Sequence, residues 1–152
     1  MKKIRIYADT SVFGGCFDDE FESESRALFD DIRHGKFILV ISSTTLREIG
    51  EAPVYVQEVL SSLPVERVEL IEYSEEIAEL RDRYVDAGVV SSSSLFDAEH
   101  IAAASVAGVD IVVSWNFKHI VHYEKISGYH AVNISNGYKT VSIYSPKEVV
   151  DI

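Results

Sequence analysis

The sequence predicts one α/β domain over residues 1–152, with a five-stranded, mostly parallel sheet flanked by helices. Short β-branched runs alternate with longer segments of helical spacing, which is typical of this class. The runs at 37–41 and 111–113 are continuously apolar, as buried parallel strands are. At 152 residues and 47% hydrophobic, the chain is long enough for one core and too apolar for disorder.

Five strands are predicted from apolar, β-branched runs at 4–8, 37–41, 68–71, 111–113 and 141–143. Between them, helical spacing predicts segments at 22–34, 45–50, 54–62, 75–87 and 96–107. A glycine follows three of these segments, as helix ends prefer: Gly35, Gly88 and Gly108. A short closing helix is predicted from Pro146, because Ser145 and Glu148 have capping-box spacing.

The net charge and the cysteine content limit which functions and cellular locations we expect for the protein. With 14 Lys and Arg against 25 Asp and Glu, the net charge is −11, the opposite of proteins that bind nucleic acid through many phosphate contacts. The only cysteine, Cys16, can form neither an internal disulfide nor a zinc ribbon, which favours a reducing compartment and an inert thiol. No apolar run approaches the ~20 residues that span a bilayer. We therefore expect a cytoplasmic protein without a membrane segment.

Three acids and an amide are predicted to meet at one edge of the sheet. Asp9 directly follows the first strand, Glu48 falls near the first turn of the helix after the second, and Asp97 opens a helix. The segment 114–116, which ends in Asn116, follows the fourth strand. In a parallel α/β sheet the strand carboxyl ends and the helix amino ends share an edge. These side chains are therefore expected to converge.

Gathered carboxylates repel one another unless a cation neutralises them, and oxygen ligands of this kind suit Mg²⁺ or Mn²⁺. Such an ion polarises a phosphoryl oxygen and lowers the pKa of a bound water. Asp9, Glu48 and Asp97 are thus candidate catalytic, metal-binding residues for phosphodiester hydrolysis.

Each acid also has a purely structural interpretation. Thr45 with Glu48, and Ser94 with Asp97, match the capping-box spacing, in which the acid satisfies a free backbone N–H. Asp9 could serve as a turn or cap residue, although a charge after a buried strand is costly unless it is paired or binds a metal. Capping alone does not require that all three lie at one edge.

The motifs resemble those of PIN domains, specifically the VapC-type toxins of toxin–antitoxin pairs. Residues 7–12, Tyr-Ala-Asp-Thr-Ser-Val, resemble the opening Asp-Thr/Asn-Ser motif of the family, and Glu48 sits where the family has its helix-borne glutamate. Residues 96–104 are similar to its Asp-Ala helix with small residues. Residues 113–117, Val-Ser-Trp-Asn-Phe, resemble its strand-end segment, usually Thr-x-Asp-x-x-Phe.

The resemblance implies a sheet of order 3-2-1-4-5 and a ribonuclease, dependent on Mg²⁺ or Mn²⁺, that acts on RNA phosphodiesters. It also implies a homodimer inhibited by a small VapB-like antitoxin. Asp9, Glu48 and Asp97 would be the metal ligands, directly or through water, with Ser11 and Ser114 as hydrogen-bonding support.

Asn116 departs from the family, because a neutral amide stands where a fourth acid is usual. It can contact a metal-held water or a substrate oxygen but adds no negative charge. The substitution leaves open a second function, a catalytically weakened PIN-like module that binds protein or RNA. A third, phosphotransfer with Asp9 as nucleophile, has little support, because haloacid-dehalogenase-like phosphatases carry a second Asp where this chain has Ser11.

Several neighbouring residues are assigned less prominent roles. Trp115 is expected to pack in or at the rim of the core, with stacking on a nucleobase as the alternative. Glu99 lies about 200° round an ideal helix from Asp97 and is expected to face elsewhere. His119 and His122 have the spacing of metal ligands on one helical face, but lack clear partners and are expected at the surface.

Overall fold

The computed structural model describes residues 2–152 and contains a five-stranded sheet. The strands are β1 (Ile4–Ala8), β2 (Phe37–Ser42), β3 (Val68–Ile71), β4 (Ile111–Val113) and β5 (Ser142–Tyr144). Their order is β3-β2-β1-β4-β5, and every neighbouring pair is parallel. The predicted fold class and strand order are therefore confirmed.

Eight α-helices accompany the sheet within residues 2–152. They are α1 (Thr10–Gly15), α2 (Glu22–Arg33), α3 (Ser43–Gly50), α4 (Val54–Ser61), α5 (Glu75–Asp86), α6 (Leu95–Ala107), α7 (Tyr123–Ser135) and α8 (Pro146–Val149). Short 3₁₀ turns lie at Val65–Arg67 and Ser92–Ser94. No helix between residues 2 and 152 is long and apolar enough to cross a membrane.

Apolar side chains form one core on each face of the sheet. Along β1, Ile6 and Ala8 join the core on the side of α1, α2 and α4, while Tyr7 joins the core beside α5, α6 and α7. This alternation is the two-residue period of a β-strand. Both faces are covered, as an all-parallel sheet requires.

Helix α3 begins earlier than predicted, and the difference changes the interpretation of Glu48. Ser42 is its N-cap, and Ser42 and Thr45 form a reciprocal capping box. Glu48 consequently lies in the second turn of α3, so the prediction that it sits near the first turn, and its alternative role as a capping acid, are wrong. The closing helix α8 has the predicted capping box between Ser145 and Glu148.

Two helices, α1 and α7, were not predicted. Helix α1 has only six residues and ends in two glycines, so it carries little helical periodicity. Helix α7 contains Gly128, a weak helix former, at a point where a Cβ would lie 3.0 Å from both Cγ atoms of Val89. His119 and His122 lie in the turn before α7, so they do not share a helical face.

Candidate active site

The site lies where β1 and β4 run side by side and end together. Asp9 directly follows β1, and Ser114 directly follows β4. Strand β1 is the middle strand of the sheet, with β2 and β3 on one side and β4 and β5 on the other, so the strand order reverses direction at β1. In open α/β sheets such a switch in strand order opens a crevice at the strand carboxyl ends.

Two serine hydroxyls hold the buried carboxylate of Asp9. Ser11 Oγ donates to Oδ1 at 2.6 Å, and Ser114 Oγ donates to Oδ2 at 2.8 Å. Each hydroxyl also accepts a backbone N–H at 2.9 Å, Ser11 from Trp115 and Ser114 from Asn116. The orientation of Asp9 is thus fixed by the segment 114–116.

Burial is the main influence on Asp9 and raises the pKa of its carboxyl above the usual range. The positive charge of His100 and the hydrogen bonds from the two serines oppose this shift, whereas the nearby charge of Asp97 adds to it. The chain therefore holds an acid in a place where ionisation requires compensating positive charge.

Glu48 belongs to a second hydrogen-bonded group, centred on His100. Thr10 Oγ1 donates to Glu48 Oε1 at 2.8 Å, and His100 Nε2 lies 2.6 Å from the same oxygen. The other ring nitrogen, Nδ1, lies 2.6 Å from the Tyr7 hydroxyl, which is 2.7 Å from Ser42 Oγ. This chain of contacts links β1, α3 and α6.

His100 is a buried imidazolium in this group. Burial alone would lower its pKa, but Tyr7, the hydrogen bond to Glu48 and the charges of Asp9 and Glu48 raise it to about 10. Both ring nitrogens are then donors at neutral pH, one to Tyr7 and one to Glu48. For Glu48, burial raises the pKa of the carboxyl. The hydrogen bond and charge of His100, the hydrogen bond from Thr10 and the charge of Arg47 outweigh the effect of burial, so this pKa is lowered overall.

Asp97 completes the acidic group from the first turn of α6. Burial raises the pKa of its carboxyl most, and the charge of Glu48 also raises it. His119, His100 and the Asn116 side chain act in the opposite direction. All six candidate residues of the sequence analysis are thereby brought together: Asp9, Ser11, Glu48, Asp97, Ser114 and Asn116.

The donor chemistry fits a hard divalent cation, although the structure holds no preformed coordination cage. Between residues 2 and 152, no three His, Cys, Asp or Glu side chains are already arranged as a metal-binding group. Asp9, Glu48 and Asp97 supply carboxylate oxygens, the ligands that Mg²⁺ and Mn²⁺ prefer. Burial raises the pKa of Asp9 and of Asp97, so a bound cation would favour the ionised forms of these acids.

No protein-family model and no curated protein matches the sequence, whereas solved structures match over most of the chain. One is VapBC2 from Rickettsia felis, solved with a DNA fragment from its promoter: 14% identity, TM-score 0.57, covering 93% of this chain and 98% of that one. FitAcB from Neisseria gonorrhoeae has 13% identity and a TM-score of 0.58, covering 95% of this chain and 99% of that one. VapC20 from Mycobacterium tuberculosis, a toxin that cleaves the sarcin-ricin loop, has 16% identity and a TM-score of 0.50. It covers 70% of this chain and 86% of that one.

The chain has a VapC-like PIN-domain fold. At these identities the likeness concerns the fold, and the chemistry has to be argued from the side chains. In this PIN-like fold, the acidic group lies at the carboxyl ends of the two central strands β1 and β4.

Sequence reasoning missed His100, a buried residue of the PIN-like site that contacts both Tyr7 and Glu48. Its place three residues after Asp97 on a helix was a usable signal, because such residues lie on one face. Its partners Tyr7 and Glu48 lie 93 and 52 positions away, so no local motif marks the group. Thr10, which donates to Glu48, was missed for the same reason.

Asp97 and Glu99, two positions apart on α6, have different surroundings. Ser94, the N-cap of α6, makes no side-chain cap hydrogen bond, so no capping box involves Asp97. Glu99 is buried away from solvent, where it pairs with Arg81 Nη1 at 2.7 Å and accepts a hydrogen bond from Thr44. It therefore serves as a structural tie between α5 and α6.

Trp115 packs, as its preferred interpretation predicts. It is 9% exposed, its Nε1–H donates to Ser25 Oγ at 2.8 Å, and its ring stacks on Phe21. Cys16 is also buried, and burial raises the pKa of its thiol to about 11, which keeps it protonated. Of the two histidines, His122 is exposed and His119 is half-buried near Asp97.

Proposed function

We propose that the chain is a metal-dependent endoribonuclease that hydrolyses RNA phosphodiester bonds, with Mg²⁺ or Mn²⁺ as its cofactor. The observation that carries the proposal is the grouping of the Asp9, Glu48 and Asp97 carboxyls around His100 at the carboxyl end of β1. A metal-dependent nuclease needs such a site, because its carboxylates hold a divalent cation next to the phosphate. Without the cation, the carboxylates would repel the phosphate.

Asp9, Glu48 and Asp97 would hold the ion, directly or through water. When bound, the ion supplies electrostatic stabilisation to the phosphoryl oxygens and lowers the pKa of a water nucleophile. Neighbouring side chains hold the carboxylates of Asp9 and Glu48 in position. Ser11 and Ser114 fix both oxygens of Asp9, while Thr10 and His100 engage a single oxygen of Glu48 and leave the other available.

Cleavage of labelled single-stranded RNA tests the activity. We expect cleavage with Mg²⁺ or Mn²⁺, none with EDTA, and a loss of at least about 100-fold in Asp97→Asn, because electrostatic stabilisation of this kind is a large share of catalysis. Glu66→Gln is the matched control, since Glu66 is exposed and precedes β3 at the opposite edge. Equal cleavage by the wild type and Asp97→Asn would contradict the proposal.

Metal binding can be measured without any substrate. An ion that binds only the folded chain at 100 times its dissociation constant adds about 2.7 kcal/mol to the free energy of unfolding. We expect Mg²⁺ or Mn²⁺ to raise the melting temperature of the wild type and to have little effect on Asp9→Asn or Asp97→Asn. A shift of equal size in all three proteins would show that the ion binds elsewhere.

The partners we propose are a small VapB-like antitoxin and a second copy of the chain. Support comes from the fold, since the similar structures include VapBC2 and FitAcB. Light scattering of the purified chain should give twice the 17.0 kDa of one copy. A mass of a single copy at micromolar concentration would contradict the homodimer.

Asn116 favours the second candidate function, a module that binds RNA without cutting it. Its Oδ1 accepts the backbone N–H groups of Lys118 and His119 at 3.2 and 2.9 Å, so the side chain shapes a turn and adds no charge. RNA binding without metal-dependent cleavage would support this alternative. Phosphotransfer through Asp9 is disfavoured, since Ser11 stands where haloacid-dehalogenase-like phosphatases carry a second Asp, and Ser11 instead donates to Asp9.

A further inference from the structure

An aromatic cavity adjoins the acidic site. It has a volume of about 390 Å³, within the ~300–1,000 Å³ range of ligand pockets. The residues that line it include Ser11, Gly14, Asp18, Phe21, Trp115 and Asn116. Ser11 and Asn116 belong to both places, because Ser11 donates to Asp9 and Asn116 influences Asp97. A group bound in the cavity would therefore lie next to the site proposed for cleavage.

The aromatic wall is held rigidly. Phe21 stacks on Trp115 with ring centroids 4.2 Å apart and an interplanar angle of 18°. Trp115 is fixed by its hydrogen bond to Ser25 and lies against Gly15, where a Cβ would be 2.8 Å from Nε1. Phe21 N–H donates to the Asp18 carbonyl at 2.9 Å. The wall is thus ordered before any ligand binds.

The side chains that line the cavity indicate which kind of ligand it can bind. The paired rings offer an apolar, π-rich surface, and the side chain of Asp18, of which only Oδ1 accepts a backbone N–H, adds a carboxylate. A carboxylate at this position repels phosphate but accepts N–H donors, such as those on the edge of a nucleobase. Phe117, 48% exposed, lies edge-on to Trp115 at 6.1 Å and extends the aromatic surface outwards.

We propose that this cavity is a nucleobase subsite, which binds one unstacked base of single-stranded RNA against Phe21 and Trp115, next to the bond that the proposed nuclease cuts. The inference rests on the proposed function for its choice of RNA. Aromatic stacking is the usual sequence-tolerant contact with single strands, and it does not require the many phosphate contacts that a net charge of −11 disfavours.

Binding can be measured apart from cleavage, because Trp115 is the only tryptophan and its fluorescence reports on the cavity. In the Asp97→Asn background, an eight-nucleotide single-stranded RNA should quench this fluorescence, and the same sequence as a duplex should not. Phe21→Ala should weaken binding about tenfold, which is within the range for loss of one stacked base. Phe21→Tyr, which keeps the ring, should restore it.

Two further variants separate binding from folding. Gly14→Leu should place an apolar side chain in the cavity, because Gly14 lines it and a Cβ there meets no atom within 4 Å, and it should weaken binding as Phe21→Ala does. Tyr73→Ala is the matched control, an exposed aromatic beyond β3 at the far edge of the sheet. Thermal melts of each variant should show that it is folded.

Unchanged affinity in both Phe21→Ala and Gly14→Leu, or duplex binding as tight as single-strand binding, would overturn the subsite. Phe21-dependent binding in a chain that never cuts RNA would support the subsite and contradict the nuclease. The two proposals can therefore fail separately.

Discussion

At the scale of single residues, the Ser114 hydroxyl shows how much a buried acid depends on its donors. Ser114→Ala removes one of the two O–H donors to Asp9, a carboxylate that is 4% exposed. We expect the free energy of unfolding to fall by about 1–3 kcal/mol in urea titrations, since a buried charged acceptor loses a partner. Ser127→Ala, at an exposed position on α7, should change it by less than about 0.5 kcal/mol. Equal effects would contradict this assignment.

His100 and Tyr7 should be energetically coupled. Tyr7→Phe and His100→Gln each break the buried chain from Ser42 to Glu48, so each should cost about 1–3 kcal/mol of unfolding free energy. The double variant should lose less than the sum, by at least about 0.5 kcal/mol, because both changes disrupt one network. Strict additivity would show that the contacts are independent. Tyr138→Phe, an exposed hydroxyl bonded to Glu76, is the control with a small expected effect.

At the scale of elements, neighbouring glycines at the end of α1 have opposite roles. In Gly15→Ala the new Cβ would lie 2.5 Å from Ser25 Oγ and 2.8 Å from Trp115 Nε1, and neither group can move without breaking their hydrogen bond. We expect a loss of about 1–3 kcal/mol in unfolding free energy, typical of overpacking. Gly14→Ala meets open space and should be neutral or stabilise by up to about 1 kcal/mol. Similar losses in both variants would contradict the packing argument.

The elements that could be predicted are those with strong local patterns. Strand 111–113 was placed correctly and the fifth strand within one residue, because apolar β-branched runs are distinctive. Helix α7 escaped prediction because Gly128 and mixed polarity obscure its period. In the candidate site, Asp9 and Asp97 were predictable from their positions after a strand and at a helix start, whereas Glu48 lies one turn further into its helix than predicted. His100 was not, since its partners come from β1 and α3.

At the scale of the whole molecule, the net charge of −11 sets how RNA binding should respond to salt. A protein that grips single strands through phosphates loses affinity with a slope of about −0.7 per neutralised phosphate in a log–log plot. Binding through a base and a divalent cation involves few such contacts. At constant Mg²⁺, we expect a slope no steeper than about −2 between ~50 and ~200 mM KCl. A slope of about −4 or steeper in fluorescence titrations would indicate a phosphate-binding surface that the proposal lacks.

The connection from Ser114 to the last strand affects when the site can exist. Ser114 N–H donates to the Tyr144 carbonyl at 3.1 Å, and the Ser114 hydroxyl donates to Asp9, so one serine connects residues that are far apart in the sequence. A ribosome makes Asp9 long before Tyr144, so the backbone contact that holds Ser114 can form only after residue 144 has been added. A polypeptide that stops before residue 144 therefore carries all three acids but lacks this contact.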